Sequence, residues 1–122
     1  MDFAVEIYTV TKSFPSNEQF GLTSQLRRST SSIALNIAEG WGRGSNKSYS
    51  HFLKIARGSL YETETCLILS NKLGYISTEI IESYSLLIEQ IGKMINSFIK
   101  KLDNNNEVIN SVESGNSLKT NN

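Results

Sequence analysis

The chain has 122 residues, with twelve basic and twelve acidic side chains, one histidine, one cysteine and one tryptophan, and 39% of its residues are apolar. This length and apolar content suffice for a single domain with one core. The sequence contains neither an apolar run of about 18 residues nor the pattern of a signal peptide, so we expect a cytoplasmic protein. One cysteine excludes an intramolecular disulfide, and one histidine excludes the two-histidine zinc motifs.

Apolar side chains at helical spacing predict two helices in the first third of the chain. The first helix covers about residues 2–13 and must end before Pro15, which cannot continue a helix. A capping-box pattern at Ser16 offers a new start, although Gly21 favours a later one. The second helix runs to the glycine-rich stretch at residues 40–44, which permits a turn.

Two longer helices follow. The third begins at the N-cap residue Ser45 or at Asn46 and ends at Gly74, which fits a left-handed C-cap. The fourth is capped by Ser77 or Thr78 and has the clearest apolar stripe, which comprises Ile80, Tyr84, Leu87, Ile88, Ile91, Met94, Ile95, Phe98 and Leu102.

Composition changes after Asp103. Residues 104–122 are rich in Asn and Ser and bury too little apolar surface to offset the entropy of ordering, which predicts a disordered polar tail. The predicted organisation is therefore a bundle over residues 1–103 and a tail over residues 104–122. Four amphipathic helices with short connections predict an all-α, antiparallel up-down-up-down bundle.

The second helix carries a polar stripe beside its apolar arc. The stripe consists of Gln25, Arg28, Ser32, Asn36, Glu39 and Arg43. Most of these side chains are short and polar, which is typical of a half-buried interface. The alternative, given equal weight, is a face that is simply exposed to solvent. On another flank Leu35 lies with small apolar residues, which indicates a second packing surface, such as another subunit. Trp41 is interpreted first as a core plug at the bundle end and second as an exposed aromatic that stacks on a base.

The charges are segregated along the chain. Residues 27–57 hold six basic residues and one acid, a net of +5, and residues 58–92 hold one basic residue and five acids, a net of −4. The candidate nucleic-acid-binding residues are Arg27, Arg28, Arg43, Lys47, Lys54 and Arg57. The alternative is that these bases form ion pairs with acids such as Glu62, within or between subunits.

The sequence contains no group of residues whose types and spacing are typical of a catalytic site. Cys66 is interpreted as a small buried hydrophobe because no second cysteine or nearby histidine accompanies it. His51 lies on the outer face of its helix, and Glu62 and Glu64 point in different directions. We therefore expect no enzyme activity, no metal site and no cofactor.

The stretch from residue 14 to residue 45 resembles the bacterial four-helix bundle family of 23S rRNA intervening-sequence proteins. The residues that carry the resemblance are Phe14-Pro15, Phe20-Gly21-Leu22, Gln25-Leu26-Arg27-Arg28, Ser32-Ile33, Asn36-Ile37-Ala38-Glu39-Gly40 and Gly42-Arg43 with Ser45. The match continues through Phe52-Leu53, Ile55-Ala56, Gly58-Ser59-Leu60, Glu62 and Leu73-Gly74 and covers roughly residues 3–102.

This resemblance implies a ring-like homopentamer with no active site. Some members are encoded inside intervening sequences of 23S rRNA genes, and others are similar to the accessory variability determinant of diversity-generating retroelements, which binds nucleic acid and a reverse transcriptase. Relatives begin with more of the first helix, so we expect this first helix to be shortened by two to three turns. The retroelement proteins are strongly basic, whereas this chain is neutral.

The sequence thus predicts a non-enzymatic, oligomeric accessory protein that binds RNA through a basic region on the second and third helices. Ser32, Asn36, Glu39, Leu35, Trp41 and Glu62 are the candidate structural and interface residues. The alternative is a scaffold or protein-interaction module in which the same charges form intersubunit ion pairs. No membrane and no small-molecule substrate is expected as a partner.

Overall fold

Four α-helices make up most of the structure. The computed structural model describes the backbone of residues 2–116 and the side chains of residues 2–105. Its elements are α1 (Asp2–Thr11), a short 3-10 turn (Ser16–Glu18), α2 (Leu22–Gly42), α3 (Asn46–Lys72) and α4 (Thr78–Asn116). Residues 2–116 contain no strand, and the predicted all-α four-helix bundle is confirmed. Within the described part of the chain, every helix is too short or too polar to pass through a bilayer.

The helix ends lie where local chemistry predicted them. Ser45 caps α3, since its Oγ accepts a hydrogen bond from the backbone N–H of Ser48 at 3.1 Å. Ser77 caps α4 in the same way, accepting from the backbone N–H of Ile80 at 3.2 Å. Gly74 adopts a φ of 83° after α3, a left-handed conformation that a side chain would oppose.

Helix α2 begins at Leu22, after Gly21, and not at the earlier Ser16 start. The Glu18 carboxylate accepts the backbone N–H of Leu22 at 3.1 Å and so satisfies one of the free donors at the helix start. The same carboxylate accepts the Tyr75 hydroxyl at 2.9 Å. That hydrogen bond raises the pKa of Tyr75, because ionisation would remove the donated proton.

Helix α4 is longer than its apolar stripe. Its backbone continues to Asn116, beyond the boundary at Asp103 that composition indicated. Once a helix has begun, each further residue adds one backbone hydrogen bond. The backbone can therefore stay helical past the last residue of the apolar stripe. The remainder of the predicted disordered tail, residues 117–122, lies outside the described residues.

The core runs along the axis of the bundle. Helix α3 lies between α2 and α4 and packs extensively against both. The most deeply buried large apolar side chains come from all four helices and are Ile7, Leu26, Leu53, Leu60, Leu67 and Ile95. Removing one such side chain to alanine costs about 2–5 kcal/mol of unfolding free energy in comparable cores.

Helix α1, with ten residues, covers only half of the groove between α2 and α4. The ring of Phe3 contacts that of Tyr84 at 5.7 Å between centroids, and Phe3 also lines a pocket with Ile33 and Ile91, which places the start of α1 near the middle of the bundle. Beyond Phe3, Met94 is 54% exposed and Phe98 is 44% exposed. The prediction that these two belong to the buried stripe is wrong, because α1 does not cover them, and Ile80 at the start of the stripe is 38% exposed as well.

Arg27 of α2 makes hydrogen bonds and a cation–π contact with α1. Its Nε donates to Thr11 Oγ1 at 2.9 Å and its Nη2 donates to the carbonyl oxygen of Tyr8 at 3.2 Å. Its guanidinium also lies 4.9 Å from the centroid of the Tyr8 ring, within cation–π range. Arg27 therefore has a packing role in this fold.

The seam between α2 and α3 is built from small hydroxyl side chains. Ser59 Oγ donates to Ser32 Oγ at 2.9 Å, and the hydroxyls of Thr63 and Ser29 lie 2.8 Å apart. Asn36 Nδ2 donates to both the carbonyl oxygen and the Oγ of Ser32, at 2.8 and 2.9 Å. Small side chains let the two backbones approach closely, and their hydrogen bonds fix the register.

Replacing Ser32 tests this seam. Ser32→Ala leaves the buried hydroxyl of Ser59 and one donor of Asn36 without an acceptor, which costs about 1–3 kcal/mol of unfolding free energy. Glu39→Ala removes only an exposed pair within one helix and should cost less than about 0.5 kcal/mol.

The measurement is a urea denaturation midpoint for each variant. Ser24→Ala on the exposed face of α2 is the matched control for the loss of a hydroxyl and should leave the midpoint unchanged. Equal midpoints for Ser32→Ala and Ser24→Ala would show that the seam does not depend on Ser32.

Candidate nucleic-acid interface

Three helices bring charged side chains together where the α2–α3 turn lies. We call this region the turn end and define it as residues 36–57 and 96–105. Contacts between α3 and α4 establish that these ranges lie level with each other. The rings of Tyr49 and Phe98 are 6.5 Å apart, Ser50 Oγ donates to Asp103 Oδ1 at 2.6 Å, and Arg57 Nη1 donates to Asn96 Oδ1 at 2.9 Å.

The turn end is basic although the chain is neutral. It holds two acids, Glu39 and Asp103, against six basic residues, a net of +4. The other described residues, 2–35 and 58–95, hold five basic residues and eight acids, a net of −3. The six basic residues of the turn end are Arg43, Lys47, Lys54, Arg57, Lys100 and Lys101. The charge segregation along the chain thus becomes a polarity along the bundle axis.

The fold brings together four of the six predicted nucleic-acid-binding residues and separates the other two. Arg43, Lys47, Lys54 and Arg57 lie at the turn end. Arg28 lies about 22 Å from Arg43 along α2, from a rise of 1.5 Å per residue. Arg28 forms an ion pair with Glu62 of α3, and Arg27 holds α1 in place.

Lys100 and Lys101 also belong to this surface, and they are not among the six predicted nucleic-acid-binding residues. The signal that identifies them is the antiparallel register, because the end of α4 must return to the α2–α3 turn. Lys47 is exposed and forms no ion pair among the described side chains.

Arg43 has two contacts within its own chain. Its Nε lies 2.8 Å from Glu39 Oε2, and its guanidinium lies 4.9 Å from the centroid of the Phe52 ring. The Arg43 and Glu39 side chains are each about half exposed. A pair exposed to this degree contributes about 0–1 kcal/mol, so a phosphate can replace the carboxylate at little cost.

Asp103 is the second acid of the turn end and is held by α3. It accepts the Ser50 hydroxyl and lies 3.2 Å from Lys54 Nζ through its other oxygen. The hydrogen bond from Ser50, with a further contribution from Lys54, holds the pKa of Asp103 below its ordinary value despite partial desolvation. Asp103 therefore stays ionised at neutral pH and offsets part of the charge on Lys54.

Trp41 is 74% exposed, and its interpretation as a core plug is wrong. The packing position at this end of α2 belongs to Gly40, where an added Cβ would lie 2.8 Å from the Cβ of Phe52. Trp41 follows by about 100° around the helix and faces the side that α1 does not reach. Its ring meets that of Tyr49 edge-on, with centroids 5.8 Å apart and an interplanar angle of 74°.

The remaining residues singled out in the sequence are Cys66, His51 and Leu35. Cys66 is half-buried rather than buried, and desolvation, with a contribution from Glu62, raises the pKa of its thiol, which makes it less reactive. His51 is exposed and contacts Phe52 edge-on. Leu35 is 68% exposed on the outside of α2. Within the described residues, no cluster of His, Cys, Asp and Glu has the arrangement of a metal site.

The Asp103 contact predicts a pH dependence. Ser50→Ala should raise the pKa of Asp103 towards its ordinary value, measured by NMR titration of the side-chain carboxyl. Because the folded pKa lies below the unfolded one, the contact stabilises the fold above about pH 4 and its contribution is lost as the pH falls through the folded pKa. An unchanged pKa in Ser50→Ala would contradict the assignment of Ser50 as the main cause, and Ser48→Ala on the same helix is the control.

Comparisons with known proteins agree with this architecture. A solved structure from Bacteroides thetaiotaomicron VPI-5482, described as a protein of unknown function from the S23 ribosomal protein family, is 33% identical in sequence. It superposes with a TM-score of 0.74 over 81% of this chain and 89% of its own. A search of curated proteins finds no match.

The family model for 23S rRNA-intervening sequence proteins matches residues 1–97, which include all of α1, α2 and α3 and α4 as far as Ser97. The resemblance found in the sequence is thereby confirmed, and the chain belongs to the 23S rRNA-intervening sequence protein family.

Proposed function

We propose that this protein is a non-enzymatic, homo-oligomeric accessory protein that binds RNA in the cytoplasm through the turn end. The observation that carries the proposal is the net charge of +4 on one end of a chain whose total charge is zero. A neutral protein has no general reason to concentrate its bases at one end, whereas a phosphate backbone favours such a surface.

The contacts at the turn end suit phosphate binding. Lys47, Lys100 and Lys101 are exposed point charges, and Arg43 offers a planar guanidinium that can bind two phosphate oxygens. The pairs of Arg43 with Glu39 and Lys54 with Asp103 are solvent-exposed and easily exchanged. Each phosphate contact releases condensed counterions, so binding should weaken with salt.

Family membership supports RNA as the nucleic acid. The family is named for intervening sequences of 23S rRNA, and the related Bacteroides structure is assigned to a ribosomal protein family. We extend that association to this chain as part of the proposal.

We further propose a homo-oligomer, and a pentamer on the basis of the family resemblance. Exposed apolar side chains support association, since Leu35 on α2 and Ile55 on α3 are 68% and 40% exposed on the outer side of the α2–α3 seam. A ring would repeat the turn end five times, so that weak individual sites add by avidity.

The second candidate is a scaffold without RNA, and the ion pairs favour it. Arg28, Arg43 and Lys54 each pair with an acid of the same chain, so much of the basic character is used internally. In a scaffold, the exposed apolar side chains and the remaining charges would hold subunits together, including through intersubunit ion pairs.

RNA binding is tested by filter binding to structured rRNA at about 50 and 200 mM salt. We expect the affinity to fall steeply between the two conditions. Arg43→Glu with Lys47→Glu should weaken binding and reduce the slope of log affinity against log salt by about two, since two phosphate contacts are lost.

The matched control is Lys12→Glu with Lys72→Glu, which changes the net charge equally at the opposite end of the bundle. Equal weakening by both double variants would indicate a response to net charge and would contradict a site at the turn end. No binding by the wild-type oligomer at low salt would rule out the RNA proposal and leave the scaffold.

Oligomerisation is tested by light scattering. A pentamer of this 13.6 kDa chain has a mass of about 68 kDa, five times the subunit mass. Leu35→Glu should lower the mass, because it places a charge in the proposed apolar contact. Val5→Glu is the control, since Val5 is 64% exposed on α1, away from that contact. A monomeric wild type at all concentrations would contradict the proposal.

A further inference from the structure

We propose that Trp41 is the stacking platform for an unpaired base of single-stranded RNA, held in the cleft where α2 turns into α3. This inference rests on the proposed RNA binding and names the form of RNA that the turn end recognises. Its basis is an exposed aromatic ring, an adjacent open cleft and a basic rim in the same turn.

The indole of Trp41 is both exposed and anchored. Its 74% exposure leaves most of its surface in water, which is unfavourable for the largest aromatic side chain unless something covers it. The edge-on contact with Tyr49 holds the ring, and Tyr49 in turn lies 6.5 Å from Phe98. An anchored ring loses little conformational entropy when a base stacks on it.

A cleft of about 350 Å³ adjoins the ring and lies within the size range of small-ligand sites. It is lined by Gly40, Trp41, Gly44, Ser45, Asn46 and Tyr49. The amide of Asn46 is a donor and acceptor of the kind that pairs with base edges.

Two glycines follow Trp41 in the turn, Gly42 and Gly44. Gly44 needs its hydrogen side chain because its φ is 80°, but Gly42 has no positive φ and an added Cβ there would meet nothing within 4 Å. Neither backbone strain nor packing within this chain therefore explains the missing side chain at Gly42. Its absence leaves the backbone next to Trp41 accessible to a flat ring.

The charges of the turn identify the ligand class. Arg43 and Lys47 lie two and six residues after Trp41, so a chain that stacks on the indole has cations close to its phosphates. Aromatic platforms beside a basic groove are how proteins hold single strands, because every unpaired base offers a π-face. A base inside a duplex has both faces covered, so the platform favours unpaired nucleotides.

Trp41 is the only tryptophan of the chain, so its fluorescence reports on the site directly. The probe is a single-stranded oligoadenylate of about eight nucleotides, compared with an abasic oligomer of the same length and phosphate charge. We expect oligoadenylate to quench the fluorescence and to bind about 5- to 150-fold more tightly than the abasic oligomer, the range for stacking of one base. Equal affinity and equal quenching by both oligomers would overturn the inference.

Variants separate stacking from charge, with binding followed by the anisotropy of a labelled oligoadenylate. Trp41→Ala should lose most of the preference over the abasic oligomer, and Trp41→Phe should retain much of it. Phe20→Ala is the matched control, because Phe20 is 90% exposed at the opposite end of the bundle and should have no effect. Thermal melting checks the fold, and we expect it to be unchanged because Trp41 is outside the core.

The outcomes distinguish this inference from the proposed function. Wild-type affinity for oligoadenylate in Trp41→Ala would overturn the stacking platform and leave RNA binding by the turn end intact. If the wild type binds neither oligoadenylate nor structured rRNA at low salt, both proposals are overturned.

Discussion

The close antiparallel contact between α2 and α3 is the constraint on which the rest of the molecule depends. Hydroxyl side chains in the seam, such as Ser32 and Ser59, and a glycine at position 40 let the two backbones approach and fix their register. Helix α3 also packs against α4, and the hydrogen bonds of Ser50 with Asp103 and of Arg57 with Asn96 align those two helices. The two contacts of α3 together place the α2–α3 turn and the packed end of α4 side by side.

The electrostatic character of the protein follows from that register. Bases that are spread over residues 43–57 and 100–101 converge on one end, and most of the acids lie in the other half. Two of these bases, Arg43 and Lys54, nonetheless pair with acids of their own chain. Exposed ion pairs of this kind are weak, so the basic side chains of the turn end can exchange their carboxylate partners for a phosphate.

The exposed apolar surface also has a structural origin. Helix α1 covers only the half of the α2–α4 groove that adjoins the α3–α4 turn, so Met94 and Phe98 are open to water, and Leu35 is open on the outer side of α2. Side chains of this kind favour association between copies of the chain. Trp41 lies on the same side of the bundle, which α1 does not cover, and is next to the bases of the turn end. Exposed apolar surface and positive charge are therefore adjacent at Trp41.

The sequence by itself determined the four helices, the left-handed Gly74 and the family, and it limited the helix caps to Ser45 or Asn46 and to Ser77 or Thr78, because these features depend on local spacing and local hydrogen bonds. It also identified the polar stripe of α2, of which Ser32 and Asn36 proved to be hydrogen-bonded in the seam. The tertiary structure alone decided that Trp41 is exposed, that Arg27 is a packing residue and that Lys100 and Lys101 join the basic surface. Those outcomes depend on which helix covers which face and on how far each helix extends, and neither is encoded in the periodicity of a single helix.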